Sequence, residues 1–254
     1  MSNLLYSIER KLTQLANGHA INKFAVILPT YNEAANLTVV VRAICAALPD
    51  ATIIVIDDDS PDGTGEVAVQ LQGEYPTLIL IRHPRGSGLA SAYRAGYAHA
   101  LLNGFAYVIQ MDADGSHDPA QLPEFAKIAP TYDLVIGSRY ASRAAQEHCP
   151  WGRRVLRVAA HWYVYLWLRI PSSDVTSGFR LLSRRMLEYV ASSALHSHGY
   201  IVQIETAWIA TRGDLRVAEI PIQFLRRVHG RSKLTVGIVV EALWRVPLLR
   251  WRNR

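Results

Sequence analysis

Two aspartates separated by one residue follow an apolar run near the middle of the chain. Tyr107–Ile109 indicates a buried strand, and Asp112 and Asp114 stand just beyond it. Residues i and i+2 of an extended segment point to the same side, so both carboxylates can face one ligand. Because burying unpaired charge is unfavourable, a basic or metallic partner is expected. Carboxylate oxygens in this arrangement suit a hard cation such as Mg²⁺ or Mn²⁺; a solvated turn at a strand end is the alternative.

Polar and acidic residues also follow two earlier apolar runs. The run 24–28 leads into PTYNE (29–33), and the run 52–56 leads into DDDSPDGT (57–64). The segment 60–63 has the chemistry of a turn, and Thr64 is placed to cap the next helix. Turn formation explains residues 60–64, but it gives no structural reason for Asp57 and Asp58.

Apolar runs alternate with helical patterns along most of the chain, which predicts a mostly parallel, doubly wound α/β sheet. Predicted strands lie at 24–28, 52–56, 78–82, 106–111, 133–137 and 215–224, and predicted helices at 34–48, 88–102, 119–129, 151–170, 184–193, 203–212 and 235–252. The segment 173–180 is predicted as a polar loop. A Gly-rich stretch at 85–96 resembles a phosphate-binding loop, although it lacks the G-x-G-x-x-G spacing of dinucleotide sites.

In sheets of this kind, ligands bind beyond the carboxyl ends of the strands. Four acidic residues and one arginine are predicted to meet at that edge: Glu33, Asp58, Asp112, Asp114 and Arg139. Their convergence favours a cation that holds a diphosphate over a solvated turn.

The composition narrows the class of protein. The chain has 254 residues, half of them hydrophobic, and only two cysteines, Cys45 and Cys149, without metal-type spacing. A disulfide framework is not expected, and a reducing compartment is. The first residues lack the continuous apolar stretch of a signal peptide, and no run of 18 uncharged apolar residues occurs, so no membrane span is expected.

Charge is divided unevenly along the chain. Residues 1–127 hold 8 Lys/Arg and 13 Asp/Glu, whereas residues 128–254 hold 19 and 8. An acidic half suits a cation site, and a basic half suits phosphates or an anionic membrane surface. Nucleic acid would also suit the basic half, but no DNA- or RNA-binding motif supports it, so no nucleic-acid partner is expected.

Three segments have the pattern of amphipathic helices. Residues 1–22 predict an N-terminal amphipathic extension, 151–170 an aromatic helix with a basic first half, and 236–254 a basic C-terminal helix. Tyr and Trp favour membrane interfaces, so the last two helices suit a membrane surface; core helices fit about as well. The cationic loop 226–234 suits a diphosphate clamp, with a solvated basic turn as the alternative.

Taken together, the motifs resemble the family-2 glycosyltransferases of GT-A fold, and within them the dolichol/polyprenol-phosphate mannose synthases. The resemblance covers about 23–235 and rests on eight motifs in family order: PTYNE (29–33), DDDSPDGT (57–64), SGLASAY (87–93), MDADGSH (111–117), GSRY (137–140), DVTSGFR (174–180), GYIVQIE (199–205) and GRSKL (230–234). It implies a Rossmann-like GT-A catalytic domain over 23–235, flanked by the N-terminal extension and C-terminal amphipathic interface helices.

The resemblance also implies a role for each matched residue. Guanosine of GDP-mannose would be held by Pro29, Tyr31, Glu33 and Asp58, and Mg²⁺ or Mn²⁺ by Asp112 and Asp114, with Ala113 between them in the donor site. The donor phosphates would be closed in by Arg227 and Lys233, and the lipid phosphate gripped by Arg139 and Arg153.

Four positions depart from the family pattern: Asp59 and Ala90, which change little in the expected site, and Ser116 and Arg157. The metal-site Gln of the family is Ser116 here, which makes a hydroxyl or a water the expected third ligand. A Ser near the lipid phosphate is Arg157, which adds positive charge there.

The implied reaction is inverting transfer of mannose from GDP-mannose to a polyprenyl or dolichyl phosphate. The enzyme would act peripherally on the cytoplasmic face of a membrane, and a membrane-anchoring subunit is a further expected partner. Two alternatives stay open: a polyprenyl-phosphate glucosyltransferase that uses UDP-glucose, and a non-catalytic nucleotide-sugar-binding subunit. The lack of predicted membrane spans and the GRSKL motif favour mannose.

Overall fold

The computed structural model describes residues 23–141, 151–193, 199, 201–225 and 236–252, and the side chains of 151–157, 236–242 and 252 are left out. The strands within this part are β1 Phe24–Thr30, β2 Thr52–Asp57, β3 Leu78–Arg82, β4 Tyr107–Gln110, β5 Leu134–Ser138, β6 Arg180–Ser183 and β7 Val217–Pro221. The α-helices are α1 Ala34–Ala47, α2 Thr64–Glu74, α3 Leu89–Leu102, α4 Leu122–Ile128, α5 Trp151–Leu168, α6 Arg184–Ser192, α7 Ile201–Arg212 and α8 Val236–Arg252, and a 3₁₀ turn occupies Pro119–Gln121.

The strands form one sheet in the order β3-β2-β1-β4-β6-β5-β7. Strand β6 is antiparallel to both of its neighbours, and every other pairing is parallel. Thr30 lies beside Asp57 in the register of β1 and β2, and Ile27 lies beside Gln110 in that of β1 and β4. The carboxyl ends of β1, β2 and β4 therefore meet at one edge, as predicted.

Hydrophobic residues cover both faces of the sheet. Alternate side chains of β1, Ile27 and Val26, enter two separate clusters on opposite faces. One cluster includes residues of α3, α5, α6, α7 and α8, and the other includes residues of α1, α2 and α4. Continuous apolar strands are typical of parallel sheets that are buried on both sides, because each face needs its own apolar row.

Strand β6 was not predicted from the sequence, and it makes the sheet mixed. Residues 173–179 form the predicted polar loop, but Arg180 begins a strand that inserts between β4 and β5. The run is only four residues long and leads directly into α6, so no turn signal separates it from the helix. Strand β7 is shorter than predicted and ends at Pro221, and the predicted helix at 119–129 begins as a 3₁₀ turn.

Within the described residues, no helix combines the length and apolar character that crossing a membrane would require.

One carboxylate, Asp133, ties the far end of the sheet together. It is buried and accepts hydrogen bonds from Ser183 Oγ at 3.2 Å and from the backbone N–H of Arg216 at 2.9 Å. Burial alone would raise the pKa of Asp133, but the hydrogen bonds from Arg216 and Ser183 outweigh it and lower the pKa. The ionised form is thus favoured in the folded protein.

Asp133→Asn should lower the free energy of unfolding by about 2 kcal/mol at pH 7, because a charge-assisted hydrogen-bond acceptor is lost. The folded pKa lies below the unfolded one, so the carboxylate's contribution is complete above about pH 4 and is lost as the pH falls further. Urea unfolding from pH 7 downward should therefore show a constant difference between wild type and variant that shrinks below about pH 4. Asp50→Asn, at an exposed position, is the control and should change little; a pH-independent difference for Asp133→Asn would contradict this account.

Candidate active site

A cleft of about 440 Å³ opens at the carboxyl ends of β1, β2 and β4. It brings together seven of the residues predicted from the sequence, Pro29, Tyr31, Glu33, Asp58, Asp112, Ala113 and Asp114. The described residues that complete the lining include Arg85, Gly86, Gly88, Leu89 and Ala92 of the Gly-rich stretch. The predicted convergence of acidic residues at this edge is thus confirmed, whereas the role of each side chain stays a prediction.

The walls of the cleft are braced by hydrogen bonds between the first two strand ends. The backbone N–H of Glu33 donates to Thr64 Oγ1 at 2.9 Å, and that of Ala34 donates to Asp62 Oδ2 at 3.1 Å. Thr64 therefore supports the start of α1, whereas the sequence predicted that it would cap α2, its own helix. The residue that precedes α2 is Gly63, at a φ of 87°. Burial would raise the pKa of Asp62, but its hydrogen bonds with Thr64 and Ala34 lower it.

Asp58 is held from two sides at the floor of the cleft. Its Oδ1 lies 2.8 Å from His83 Nδ1, and its Oδ2 accepts a hydrogen bond from the backbone N–H of Gly88 at 3.2 Å. His83 Nε2 lies 3.2 Å from Ser91 Oγ in the first turn of α3. These contacts fix the Asp58 carboxylate against the Gly-rich stretch.

The aspartate pair is shaped by a tight turn that His117 closes. The backbone N–H of Asp112 donates to His117 Nδ1 at 3.0 Å, and that of Ser116 donates to Asp114 Oδ1 at 2.9 Å. A backbone N–H can only donate, so Nδ1 carries no proton and the ring is neutral with its proton on Nε2. Burial lowers the pKa of His117 more than the carboxylates of Asp112 and Asp114 raise it. The imidazole stacks on Phe179 with 5.0 Å between the ring centroids. Its role in the turn is therefore structural.

The donor atoms around the pair fit a hard cation. Ser116 stands two positions after Asp114. Its Oγ is buried and has no hydrogen-bond partner among the described residues. No cluster of three His, Cys, Asp or Glu residues occurs in the described part of the chain. Two carboxylates and one hydroxyl therefore supply only part of an oxygen shell, and substrate oxygens or water would complete it, as is usual for Mg²⁺.

Arg139 lies beside this turn and is clamped by a carboxylate. Its Nε and Nη2 donate to Asp174 Oδ2 and Oδ1, each at 2.7 Å, and Nη2 also donates to Thr176 Oγ1 at 2.9 Å. Burial would lower the pKa of Arg139, but the bond with Asp174 raises it, so the guanidinium stays charged. Burial likewise would raise the pKa of Asp174, and the pairing lowers it.

The loop that carries Asp174 is anchored from below by a fully buried arginine. Arg180 donates to three backbone carbonyls, those of Ser177, Val175 and Gln203, at 2.7, 2.7 and 2.6 Å. Burial lowers the pKa of Arg180 to about 10, which leaves it protonated at neutral pH. Because these carbonyls belong to the loop and to α7, Arg180 fixes the loop above the sheet.

The same loop touches the aspartate pair at Gly178. A Cβ atom at this position would lie 3.2 Å from Asp112 Oδ1 and 3.6 Å from His117 Cε1. The backbone of the loop thus approaches Asp112 more closely than a side chain would easily permit. Arg139 and Asp112 are therefore supported by one segment, 174–179.

Three further residues of the site were missed or left without a role in the sequence. His83 follows a predicted strand directly, and that position at the carboxyl edge could have identified it. Arg180 stands at the start of a short apolar run, where a single charge carries little information. Asp174 lies in a polar loop, and only the fold shows that Arg139 is its partner.

Some predicted site residues cannot be placed. Arg227 and Lys233 lie outside the described residues, as do 1–22 and the rest of 226–235. Arg153 is in α5, but its side chain is outside the described part. Their roles stay predictions.

The mostly parallel, mixed sheet with an acidic cleft at its carboxyl edge has the GT-A-like architecture that the sequence predicts. A family described as "Glycosyl transferase family 2" matches residues 25–190, and the chain belongs to this family. It is therefore a glycosyltransferase.

Two curated proteins are similar over most of their length. The polyprenol monophosphomannose synthase of Mycolicibacterium smegmatis is 39% identical over 231 residues, which cover 90% of this chain and 87% of that protein. The undecaprenyl-phosphate mannosyltransferase of Micrococcus luteus is 36% identical over 225 residues, which cover 89% and 92%.

A solved structure has the same fold. The mannosyltransferase of Pyrobaculum calidifontis, in complex with GDP-Man and Mn²⁺, superposes with a TM-score of 0.57 at 22% identity. The match covers 83% of this chain but 58% of that one, so the chain spans a little over half of its length. At this identity the likeness supports the fold alone.

Gly178→Ala should impair the aspartate pair, because the new methyl group would press on the Asp112 carboxylate. Taking the pair as the metal site proposed below, we expect at least a tenfold rise in the Mn²⁺ concentration that gives half-maximal glycosyl transfer, in line with the cost of small displacements at active sites, roughly 10²-fold per ångström. Mn²⁺ binding measured by electron paramagnetic resonance should weaken in parallel.

Gly73→Ala is the matched control, since a Cβ there meets nothing within 4 Å. This variant should bind Mn²⁺ as the wild type does. Unchanged metal dependence in Gly178→Ala would show that the loop does not constrain Asp112.

Proposed function

We propose that this glycosyltransferase moves mannose from GDP-mannose to a polyprenyl phosphate and forms polyprenyl-phosphate-mannose. The observation that carries the proposal is the arrangement around Asp112. Asp112 lines the cleft with Tyr31, Glu33 and Asp58, and loop 174–179, which carries the Asp174 partner of Arg139, also lies against it. A donor site and an acceptor site can thus flank the same carboxylate.

The donor would occupy the cleft between β1 and the Gly-rich stretch. The proposed contacts for guanosine are Pro29, Tyr31, Glu33 and Asp58. The ring and the ribose of guanosine offer hydrogen-bond donors to the carboxylates. The two curated relatives carry mannose transfer in their names, and the solved structural relative holds GDP-Man. These names support GDP-mannose over UDP-glucose as the donor. Arg227 and Lys233 are the proposed cationic contacts for its phosphates.

Mg²⁺ or Mn²⁺ is the proposed cofactor, held by Asp112 and Asp114 with Ser116 as a third ligand. The buried hydroxyl of Ser116, which has no hydrogen-bond partner in the described part of the chain, and the oxygen-only donor set support this choice. Bound there, the ion would supply charge stabilisation for the departing diphosphate. The solved structural relative contains Mn²⁺, which supports a divalent ion without deciding between the two metals.

The acceptor brings its own nucleophile. A phosphate monoester has its second pKa near ~6, so its oxygen is already anionic at neutral pH. That oxygen would attack the anomeric carbon of mannose as the bond from this carbon to GDP breaks, with inversion of configuration. His117 is not needed as a base, and its Nδ1 is already occupied by the backbone N–H of Asp112. Arg139 and Arg153 are the proposed contacts for the lipid phosphate.

We further propose that α5 and α8 rest on the cytoplasmic face of a membrane, where the polyprenyl chain of the acceptor would remain. The helices pack together: Tyr163 Oη donates to the carbonyl of Leu243 at 2.6 Å, and Arg250 Nη1 donates to that of Trp167 at 2.7 Å. Three tryptophans project from this pair with exposures of 61%, 74% and 73%: Trp162, Trp244 and Trp251. Amphipathic aromatic rings at the surface are typical of interfacial helices.

The first test is transfer of radiolabelled mannose from GDP-mannose to polyprenyl phosphate in detergent. We expect lipid labelling with Mg²⁺ or Mn²⁺, loss of labelling with EDTA, and no labelling from UDP-glucose. Asp112→Ala should abolish turnover, whereas the exposed Asp214→Asn should not affect it.

Each other result has a definite meaning. Labelling from UDP-glucose instead would replace the donor, and near-normal turnover of Asp112→Ala would refute the metal site. No labelling from either donor would favour a non-catalytic subunit or a requirement for a membrane-anchoring partner.

Membrane contact has a separate test. The double variant Trp244→Ser/Trp251→Ser should reduce co-flotation with vesicles that contain anionic phospholipid at least fivefold, because interfacial aromatic area is lost. Val39→Ser/Val69→Ser, which removes exposed apolar residues from the helices α1 and α2, is the control and should float normally. Equal flotation of both double variants would count against membrane docking through α8.

A further inference from the structure

The acceptor side of the site depends on a glutamate in strand β7 that has no part in the proposed chemistry. Glu219 Oε1 accepts hydrogen bonds from the backbone N–H groups of Ser173 and Asp174, both at 3.0 Å. It also accepts from the hydroxyls of Ser172 and Ser173, at 3.0 and 2.9 Å, and its Oε2 lies 3.2 Å from the Ser173 nitrogen. One carboxylate thus gathers Ser172, Ser173 and Asp174, at the start of loop 174–179.

This gathering fixes the direction of the Asp174 side chain. The backbone N–H of Asp174 points to Glu219, while its carboxylate faces Arg139 and accepts from the Arg139 backbone N–H at 3.1 Å as well as from the guanidinium. Asp174 is buried, so its side chain has little freedom to adopt another direction. Glu219 therefore acts on Arg139 through Asp174.

A second connection runs from Glu219 to the backbone beside Arg139. Ser173 Oγ, which contacts Glu219, lies 2.8 Å from Ser138 Oγ, and Ser138 Oγ accepts from the backbone N–H of Tyr140 at 3.1 Å. Ser138 and Tyr140 are the residues on either side of Arg139. The arginine is thus held through its side chain and through its backbone, and both routes begin at Glu219.

The contacts with Asp174 and Thr176 leave one edge of the Arg139 guanidinium available for a ligand. Asp174 and Thr176 accept from Nε and Nη2, and among the described residues no acceptor contacts Nη1. A phosphate oxygen could therefore bind the Nη1 edge only if the whole guanidinium keeps its orientation. A small rotation of Asp174 would turn that edge away.

We propose that Glu219 is a positioning residue that orients Arg139, through Asp174 and Ser138, for the phosphate of the acceptor. The inference rests on the proposed function, since it takes a phosphate monoester as the ligand of Arg139. Glu219 itself would touch neither substrate. Its loss is expected to weaken the use of acceptor and to leave the use of donor intact.

The kinetic test compares Glu219→Gln, Glu219→Asp and wild type with polyprenyl phosphate and GDP-mannose varied in turn. The glutamine keeps the shape but presents an NH₂ group to N–H donors, so we expect a rise in acceptor KM of about tenfold or more, with donor KM within twofold. The aspartate keeps the charge and should recover part of the loss. Glu188→Gln, in an exposed ion pair with Arg184, is the matched control and should behave as wild type.

The second readout does not depend on turnover. The Arg139 Nε–H group donates to a buried carboxylate, so its ¹⁵N–¹H signal should exchange slowly with water; it can be assigned by its loss in Arg139→Lys. In Glu219→Gln this signal should broaden or shift, and in Glu188→Gln it should not.

The outcomes separate the two proposals. If wild type transfers no mannose, the proposed function fails and the Nε–H signal alone decides the positioning role. An unchanged signal in Glu219→Gln overturns that role, as does an unchanged acceptor KM in an active enzyme. Equal losses for donor and acceptor in both Glu219 variants, with a lowered Tm, would show a general structural role and also overturn it.

Discussion

Parallel pairing of β1 with both β2 and β4 is the constraint on which the site depends. Because the three strands run in the same direction, each delivers its following residues to the same edge of the sheet. PTYNE, the triple aspartate and the Asp112–Asp114 turn come from segments about 25 to 80 residues apart in the chain, yet they line one cleft. A sheet with one of these pairings reversed would send its acidic turn to the opposite edge.

The acidic edge of the sheet is stable because most of its carboxylates accept hydrogen bonds from nearby groups. Asp57, Asp58, Asp62 and Asp114 accept hydrogen bonds from backbone N–H groups, from hydroxyls or from a histidine. Such bonds satisfy the carboxylate oxygens without placing a cation beside every carboxylate. Asp112 differs, since its described contacts leave it partly open, with its side chain 34% exposed. Within the Asp112–Asp114 pair, Asp112 is thus the more open carboxylate.

The part of the site around Arg139 follows another principle, in which opposite charges are paired and then fixed. Arg139 and Asp174 form a bidentate pair, and Arg180 and Glu219 bind the backbone of the loop that carries Asp174. Two of these residues, Asp174 and Arg180, are buried, where a charge is tolerated only with well-formed hydrogen bonds. Strand β6, which enters antiparallel between β4 and β5, places Arg180 under the loop. The loop therefore links Arg139, the proposed acceptor contact, with Asp112, because it carries the Asp174 partner of Arg139 and lies against Asp112 at Gly178.

The sequence by itself determined the α/β class, six of the seven strands in the described part of the chain, and the acidic residues of the cleft. Those features depend on local apolar runs and on strand ends, which periodicity reports directly. Only the tertiary structure revealed β6, the pairing of Arg139 with Asp174, and the hydrogen bonds that Glu219 and Arg180 make to the segment carrying Asp174. These residues, Asp174, Arg180 and Glu219, stand between 35 and 80 residues from Arg139 in the chain. The sequence around a residue does not show which distant backbone group or carboxylate its side chain will contact. Thr64 makes the same point: its chemistry predicted a cap, but the fold decided which helix it would support.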